Sequence, residues 1–503
     1  MLGLGTIRDT SRVTFFVAAL ALGITLTLVA ERLGIAAAIL GSLLLPLLSF
    51  FGPAACRQTW GFVGDLRKHL AWWHWLWLLL FLSYLNFRPR SAQDIQGTPV
   101  DTWALYRIVL VALVACVLGA RLAVRKGEWL GPLFRGLPGL LSAYVLVSLV
   151  STLWSVYPAW TLYRSLEYWV DVALLAAIVA AVKSAETYRT LFDWTLTLYV
   201  LLVSSAWWGV LAWPKLALTP VPGLVGVELT GVFPAVASNG VGELAAVLAI
   251  MALARLLTAS GRPAPRALHL LLLLASLATL FLSQARSAIV GLLAGVALLM
   301  VFGRRLALAA MALAASLPLL AWGASEWLHQ YFLRGQSAEM FSSLSGRVDW
   351  WDAGWQEFIK APLTGLGAYT ARFAVLAKTG ETDVSTIHNS YLEVLLGTSF
   401  WGLIPVVAVL AATWWILVQA LRKCPRDSEE RLVALEAAGV LAVVSVRSVF
   451  TSHLVSHPSL SFLLVVGYAE LLRRQRNRER RPVHHGGVDA TQSLPLEQSA
   501  VIP

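Results

Sequence analysis

FWGLIPVVAVLAATWWILVQAL, residues 400–421, carries no charged side chain and ends against Arg422 and Lys423. A run of that length is too long for a strand and long enough, as a helix, to cross the hydrocarbon of a bilayer. Runs of the same kind recur at 13–30, 34–51, 70–87, 104–120, 137–153, 166–182, 191–212, 241–258, 267–283, 287–303, 306–323, 432–450 and 459–472. Composition agrees: 58% of the 503 residues are hydrophobic and 13% charged, with a mean hydropathy of +0.70. Soluble chains carry roughly 25% charged residues. The expected fold is an all-α polytopic membrane protein with about 12–14 transmembrane helices. The first run, VTFFVAALALGITLTLVA, reads as a retained span, because no small-residue cleavage site follows it.

The net charge of +11 does not point to nucleic acid, because of where the charge sits. Basic clusters such as RKH (67–69), RLAVRKGEW (121–129), RR (304–305) and RKCPRDSEER (422–431) fall in alternate connections. Lys and Arg favour that side by roughly two to one, the asymmetry expected of cytoplasmic loops. Both termini are therefore expected inside, with an even number of crossings. Cys56, Cys116 and Cys424 match no zinc or redox spacing.

Two outward connections are long. WPKLALTPVPGLVGVELTGVFPAVASNG (213–240) is rich in Pro and Gly and is expected to be mostly irregular. The other is the main polar insertion. In it RVDWWDAGWQEFIK (347–360) places Trp351, Trp355 and Phe358 at helical spacing, with Asp352, Glu357 and Lys360 off that face. The expected organisation is a helical bundle over 1–324, an outward loop with an amphipathic helix over 325–389, C-terminal spans over 390–474 and a disordered inward tail over 475–503. The tryptophan cluster AWWHWLW (71–77) reads as part of an interfacial belt.

Cations on the outward side are the informative residues, since topology selects against them there. Arg88 and Arg90 flank a span end and are expected to snorkel. Arg286 lies in the short turn SQARS, Arg164 in SVYPAWTLYRSLEYW, Arg347 at the start of the amphipathic helix and Arg447 in SVRSVF. Each could pair with a carboxylate or a lipid phosphate. Several together suit a multiply charged anion, because guanidinium forks give parallel charge-assisted bonds to phosphate oxygens. His388, in STIHNSYLEVLLGT, stands where the insertion meets an apolar helix and is the best proton acceptor in the outward half. His453 and His457 have the i, i+4 spacing of a metal pair, but Pro458 and the short loop argue against one. No metal site and no cofactor is expected. The combination suits group transfer from a phosphate-activated donor to a hydroxyl.

These residues carry a resemblance. His388-Asn389, followed after nine residues by Ser399-Phe-Trp-Gly402, resembles the His-Asn…Gly-x-x-Gly signature of the O-antigen ligases of Gram-negative bacteria, with Ser399 in place of the first glycine. Arg347, Trp351, Pro362, Gly365 and Gly367 resemble that family's Arg-x-x-x-Trp…Pro-x-x-Gly-x-Gly stretch. SQARS and WSVYPAWTLYRSL resemble its Ser/Arg turn and its Trp-Ser…Pro…Arg segment. The resemblance implies a GT-C-like glycosyltransferase of the bacterial inner membrane. It would move O-antigen from undecaprenyl diphosphate to a sugar hydroxyl of lipid A-core on the periplasmic face, without metal. His388 would be the base, and Arg286, Arg347 and Arg164 would hold the diphosphate, with Asn389 and Arg447 as further binding residues. Membrane lipids would flank both lipid substrates. An O-antigen polymerase or a protein O-oligosaccharyltransferase of the same superfamily remains an alternative. A transporter would instead spread its charges along a path through the bundle.

Overall fold

The computed structural model describes residues 52, 54–87, 98, 100–124, 127, 130–258, 266–305, 307, 311, 325–373, 386–454 and 459–479. Its helices follow the apolar runs: α1 (Trp72–Ser83), α2 (Thr102–Val124), α3 (Gly136–Val150), α4 (Pro158–Ala181), α5 (Ala185–Ala212), α6 (Ser238–Thr258), α7 (Arg266–Ser283) and α8 (Arg286–Phe302). The insertion supplies α9 (Ser325–Leu333), α10 (Ala338–Ser342) and α11 (Arg347–Lys360), and the chain ends in α12 (Ser390–Lys423), α13 (Glu429–Ser448) and α14 (Leu460–Glu479). Every run read from the sequence falls on one of these helices except 13–30, 34–51 and 306–323, which lie almost wholly outside the described residues. Residues 54–68, expected as a plain connection, are also helical.

Among the described residues six helices are long and apolar enough to cross a membrane: α2, α3 with its extension to Leu153, α5, α6, α7 and α12. Helices α4, α13 and α14 carry ionic residues, several of which are paired inside the protein. Arg164 meets Glu167 within α4, Glu436 of α13 meets Arg255 of α6 at 2.8 Å, and Glu470 meets Arg473 within α14 at 2.7 Å. Pairing of this kind is what lets a charge sit inside an apolar bundle. The protein is an all-α polytopic membrane protein.

The N-terminal and C-terminal helices share one core, to which α3, α4, α6, α12, α13 and α14 all contribute. A close seam joins α6, α8 and α13. A Cβ on Gly295 of α8 would stand 3.1 Å from the Gly439 carbonyl oxygen of α13, and one on Gly439 would stand 2.8 Å from Ile250 of α6. Small residues at such positions let helix backbones approach closely where no hydrophobic effect drives them together. The seam brings the start of α6, the start of α8 and the end of α13 to one end of the bundle.

Several local expectations need correction. The connection 213–240 is partly regular: β1 (Leu218–Pro220) pairs antiparallel with β2 (Val227–Leu229), with Leu218 opposite Leu229. Helix α11 buries Ala353, Gly354 and Phe358, while Trp355 is 45% exposed. The contact is set by small residues: a Cβ on Gly354 would stand 2.9 Å from Leu396 of α12, so α11 docks through Ala353 and Gly354 and turns Trp355 away. Trp77 of the AWWHWLW cluster is fully buried and donates to Thr195 Oγ1 at 3.0 Å, so it belongs to the core and not to a belt. Residues 475–479, expected in a disordered tail, continue α14, where Arg474 Nη1 donates to the Val179 carbonyl at 3.0 Å. The rest of the tail, with His484 and His485, lies outside the described residues, as do Arg88, Arg90 and His457.

Candidate active site at the start of α12

His388 is the second residue before α12, and three contacts fix it. Its backbone is left-handed, with φ 54°. Asn389 caps the helix, its Oδ1 accepting from the backbone N–H of Tyr391 and of Leu392 at 3.0 Å each. That bond satisfies two of the otherwise orphaned donors of the first turn. From α11, Trp351 Nε1 donates to the Ile387 carbonyl at 2.9 Å, and the Trp350 ring stacks on the His388 imidazole with centroids 5.7 Å apart. Ile387 is fully buried against Phe358, Ala371 and Leu396. The imidazole is thereby held between the insertion and the bundle.

Helix α12 is broken at Ser399, whose φ of 56° and ψ of −156° are non-helical. The break frees carbonyls of the preceding turn. Leu366 N–H donates to the Leu396 carbonyl at 2.8 Å, and Gly367 N–H donates to that of Gly397 at 2.9 Å. Ser399 Oγ donates to the Pro362 carbonyl. Gly365, with φ 69°, allows the approach, since a Cβ there would lie 2.7 Å from the Gly397 carbonyl carbon. The segment Pro362–Gly367 therefore locks the first turns of α12 in place. The residue that departs from the expected glycine pattern sits in a backbone conformation that favours glycine.

Arg347 and Arg447 lie close enough to His388 to act on its charge, and Arg286 lies close enough to act on Arg347. Arg347, at the start of α11, donates from Nη1 to the Phe450 carbonyl at 3.1 Å. Arg286, at the start of α8, donates from Nη2 to Gln336 Oε1 at 2.6 Å and lies over the Phe341 ring, and its buried Nε has no hydrogen-bond partner among the described residues. Arg447, near the end of α13, is 1% exposed; its Nε donates to Glu243 Oε2 at 2.9 Å and its Nη1 to Ser287 Oγ at 3.1 Å. Its Nη2 is buried and has no partner among the described residues. Among the described residues no carboxylate pairs with Arg286 or Arg347. Arg334, close enough to repel Arg286, is matched by Glu228 of the β-hairpin.

This setting acts on the imidazole. Burial, and then Arg347, His453 and Arg447, push His388 down to about 3. Burial and Arg447 also lower Arg347. His388 is thus a neutral ring facing cations, and the cations present unpartnered N–H groups. An anion would complete both.

The structure brings His388 together with Arg347 and Arg447, and Arg286 together with Arg347. Arg164 makes other contacts. It is buried, shares Glu167 with Arg107 and lies 5.8 Å from the Trp160 ring centroid. Asn389 uses its side-chain oxygen as a helix cap. Two participants were missed in the sequence. Glu243 was hidden in the apolar run 241–258, and a lone carboxylate in a span is itself a signal. His453 was weighed only as a metal ligand, yet its Nδ1 lies 2.5 Å from Glu243 Oε2.

Residues 271–407 match the family model described as O-antigen ligase. This part of the chain is similar to the O-antigen ligases. The matched stretch runs from α7 through the insertion to beyond the break in α12, and it contains Arg286, Arg347, His388 and Ser399. Glu243, Arg447 and His453 lie outside it and are delivered to the site by α6 and α13. No curated protein matches the chain.

Proposed function

We propose that this protein transfers O-antigen glycan from undecaprenyl diphosphate to a sugar hydroxyl of lipid A-core, on the periplasmic face of the bacterial inner membrane. The observation that carries the reading is a neutral His388 beside a cluster of arginines, two of which keep buried N–H groups without partners among the described residues. The acceptor hydroxyl gives its proton to His388. Its oxygen attacks the anomeric carbon, the bond from that carbon to the phosphate oxygen breaks, and the electron pair leaves with the diphosphate. Arg286, Arg347 and Arg447 stabilise the leaving charge through charge-assisted bonds. One displacement inverts the anomeric centre.

An imidazole pushed down to about 3 is neutral at pH 7 but a weak proton acceptor. The bound diphosphate offsets the guanidinium charges that depress it, so the base strengthens when the donor is in place. Arg164 supports the same end of the bundle from its own ion-pair network. Both lipid substrates are expected to enter sideways from the bilayer.

The test supplies purified protein with polyprenyl-diphosphate glycan and lipid A-core, without divalent metal. The expected product is lipid A-core of raised mass, lost in His388→Ala. Elongated donor with no acceptor product would assign a polymerase instead. Full activity of His388→Ala would remove the histidine-base mechanism.

A further inference from the structure

Glu243 stands near the start of an otherwise apolar stretch of α6 and serves two partners with one oxygen. Arg447 Nε donates to Oε2 at 2.9 Å, and His453 Nδ1 lies 2.5 Å from the same atom. An ionised carboxylate has no hydrogen to give, so Nδ1 is the donor and Nε2 keeps the lone pair. A carboxylate behind an imidazole fixes tautomer and ring orientation in this way. Glu243 is buried, whereas the His453 side chain is 41% exposed. One end of the pair is anchored in the bundle and the other reaches towards water.

The segment that carries His453 is bonded to the elements that hold His388. Ser390 Oγ donates to the Thr451 carbonyl at 2.6 Å, and Leu454 N–H donates to Ser390 Oγ at 3.3 Å. Ser452 Oγ donates to Glu393 Oε2 at 3.3 Å, and Arg347 Nη1 donates to the Phe450 carbonyl. The charged groups about this junction are Arg347 from α11, Arg447 from α13, Glu243 from α6 and Glu393 from α12, with Arg372 and Arg164 acting on Glu393. A proton left on His388 would sit against Arg347 and Arg447. A proton on His453 would form an ion pair with Glu243.

We infer that His453, oriented by Glu243, takes from His388, through water between the two rings, the proton released by the acceptor and passes it to solvent. The inference rests on the transfer reaction proposed above. The proton balance is complete: the acceptor O–H proton goes to His388, one proton moves from His388 to Nε2 of His453, and His453 releases it to solvent. Both imidazoles end neutral and ready for the next turnover. Glu243 touches no substrate and acts as a positioning residue for His453.

The experiment uses the full-length protein in detergent with the donor and acceptor named above. His453→Gln can still donate to Glu243 but cannot carry a proton. It is expected to keep the wild-type unfolding midpoint and donor KM while kcat falls about 10²-fold. His453→Ala is expected to lose a similar factor and to be rescued by added imidazole, with rescue increasing across imidazoles of rising basicity. Glu243→Gln should lower kcat by about 10-fold. Wild-type turnover in His453→Gln, or a folded His453→Ala that imidazole does not rescue, would overturn the inference. If His388→Ala is inactive while His453→Gln is fully active, the relay alone fails. If His388→Ala is fully active, the underlying reading fails with it.

Discussion

Replacing Ser399 separates backbone conformation from hydrogen bonding at the break in α12. A non-glycine residue at φ 56° and ψ −156° costs about 1–3 kcal/mol. Its hydroxyl bond to the Pro362 carbonyl returns about 0.5–1.5 kcal/mol. Ser399→Ala keeps the strain and loses the bond, so it should destabilise by about 1 kcal/mol. Ser399→Gly loses the bond and about 0.5–1 kcal/mol of chain entropy, but it is relieved of the strain. It should therefore be close to wild type and about 0.5–2 kcal/mol more stable than Ser399→Ala. The assay is thermal or denaturant unfolding of the detergent-solubilised protein, followed through its 22 tryptophans. An alanine variant as stable as the glycine variant would refute the left-handed break, and with it the account of how Pro362–Gly367 docks.

Gly365→Ala places a Cβ against the Gly397 carbonyl at a positive φ, so it should destabilise by about 2–3 kcal/mol and lower the rate of the proposed transfer, measured by unfolding midpoint and product yield. Arg347→Gln should cost about 10²–10³ in kcat with a smaller change in donor KM, because the guanidinium acts on charge that develops in the transition state; steady-state kinetics checks it. The folded pKa of His388, about 3, lies below its unfolded value of 6.5, so stability is present above pH 6.5 and is lost as pH falls towards 3. Between pH 7 and 5 the wild type should lose about 2 kcal/mol more than His388→Asn, read as the difference in their unfolding midpoints.

Hydropathy located the helices because bilayer thickness is a local constraint on chain composition. The same local view misplaced the face of α11, where Trp355 follows the helical period but Ala353 and Gly354 make the contact. His388, Arg286 and Arg347 were legible because each is a polar residue at the margin of an apolar run. Glu243 was not, because its meaning depends on Arg447 and His453, some two hundred residues away in the chain. The β-hairpin was obscured by the Pro and Gly that bound it, and the left-handed backbone of Ser399 was visible only as a departure from an expected glycine.

The break in α12 also acts as a ruler. From Phe400 to Lys423 the helix rises about 36 Å, enough to cross the hydrocarbon and enter the headgroups by itself. From Ser390 to Thr398 it rises about 13 Å more, in a direction set by the kink and held by Pro362–Gly367. The length of this upper arm fixes how far the imidazole stands from the membrane surface. In the transfer reaction proposed above, that distance would select how deep in its headgroup a lipid-borne sugar can present the hydroxyl that reacts. Adding or deleting one turn below the break would shift the reach by about 5 Å, roughly the length of one hexose.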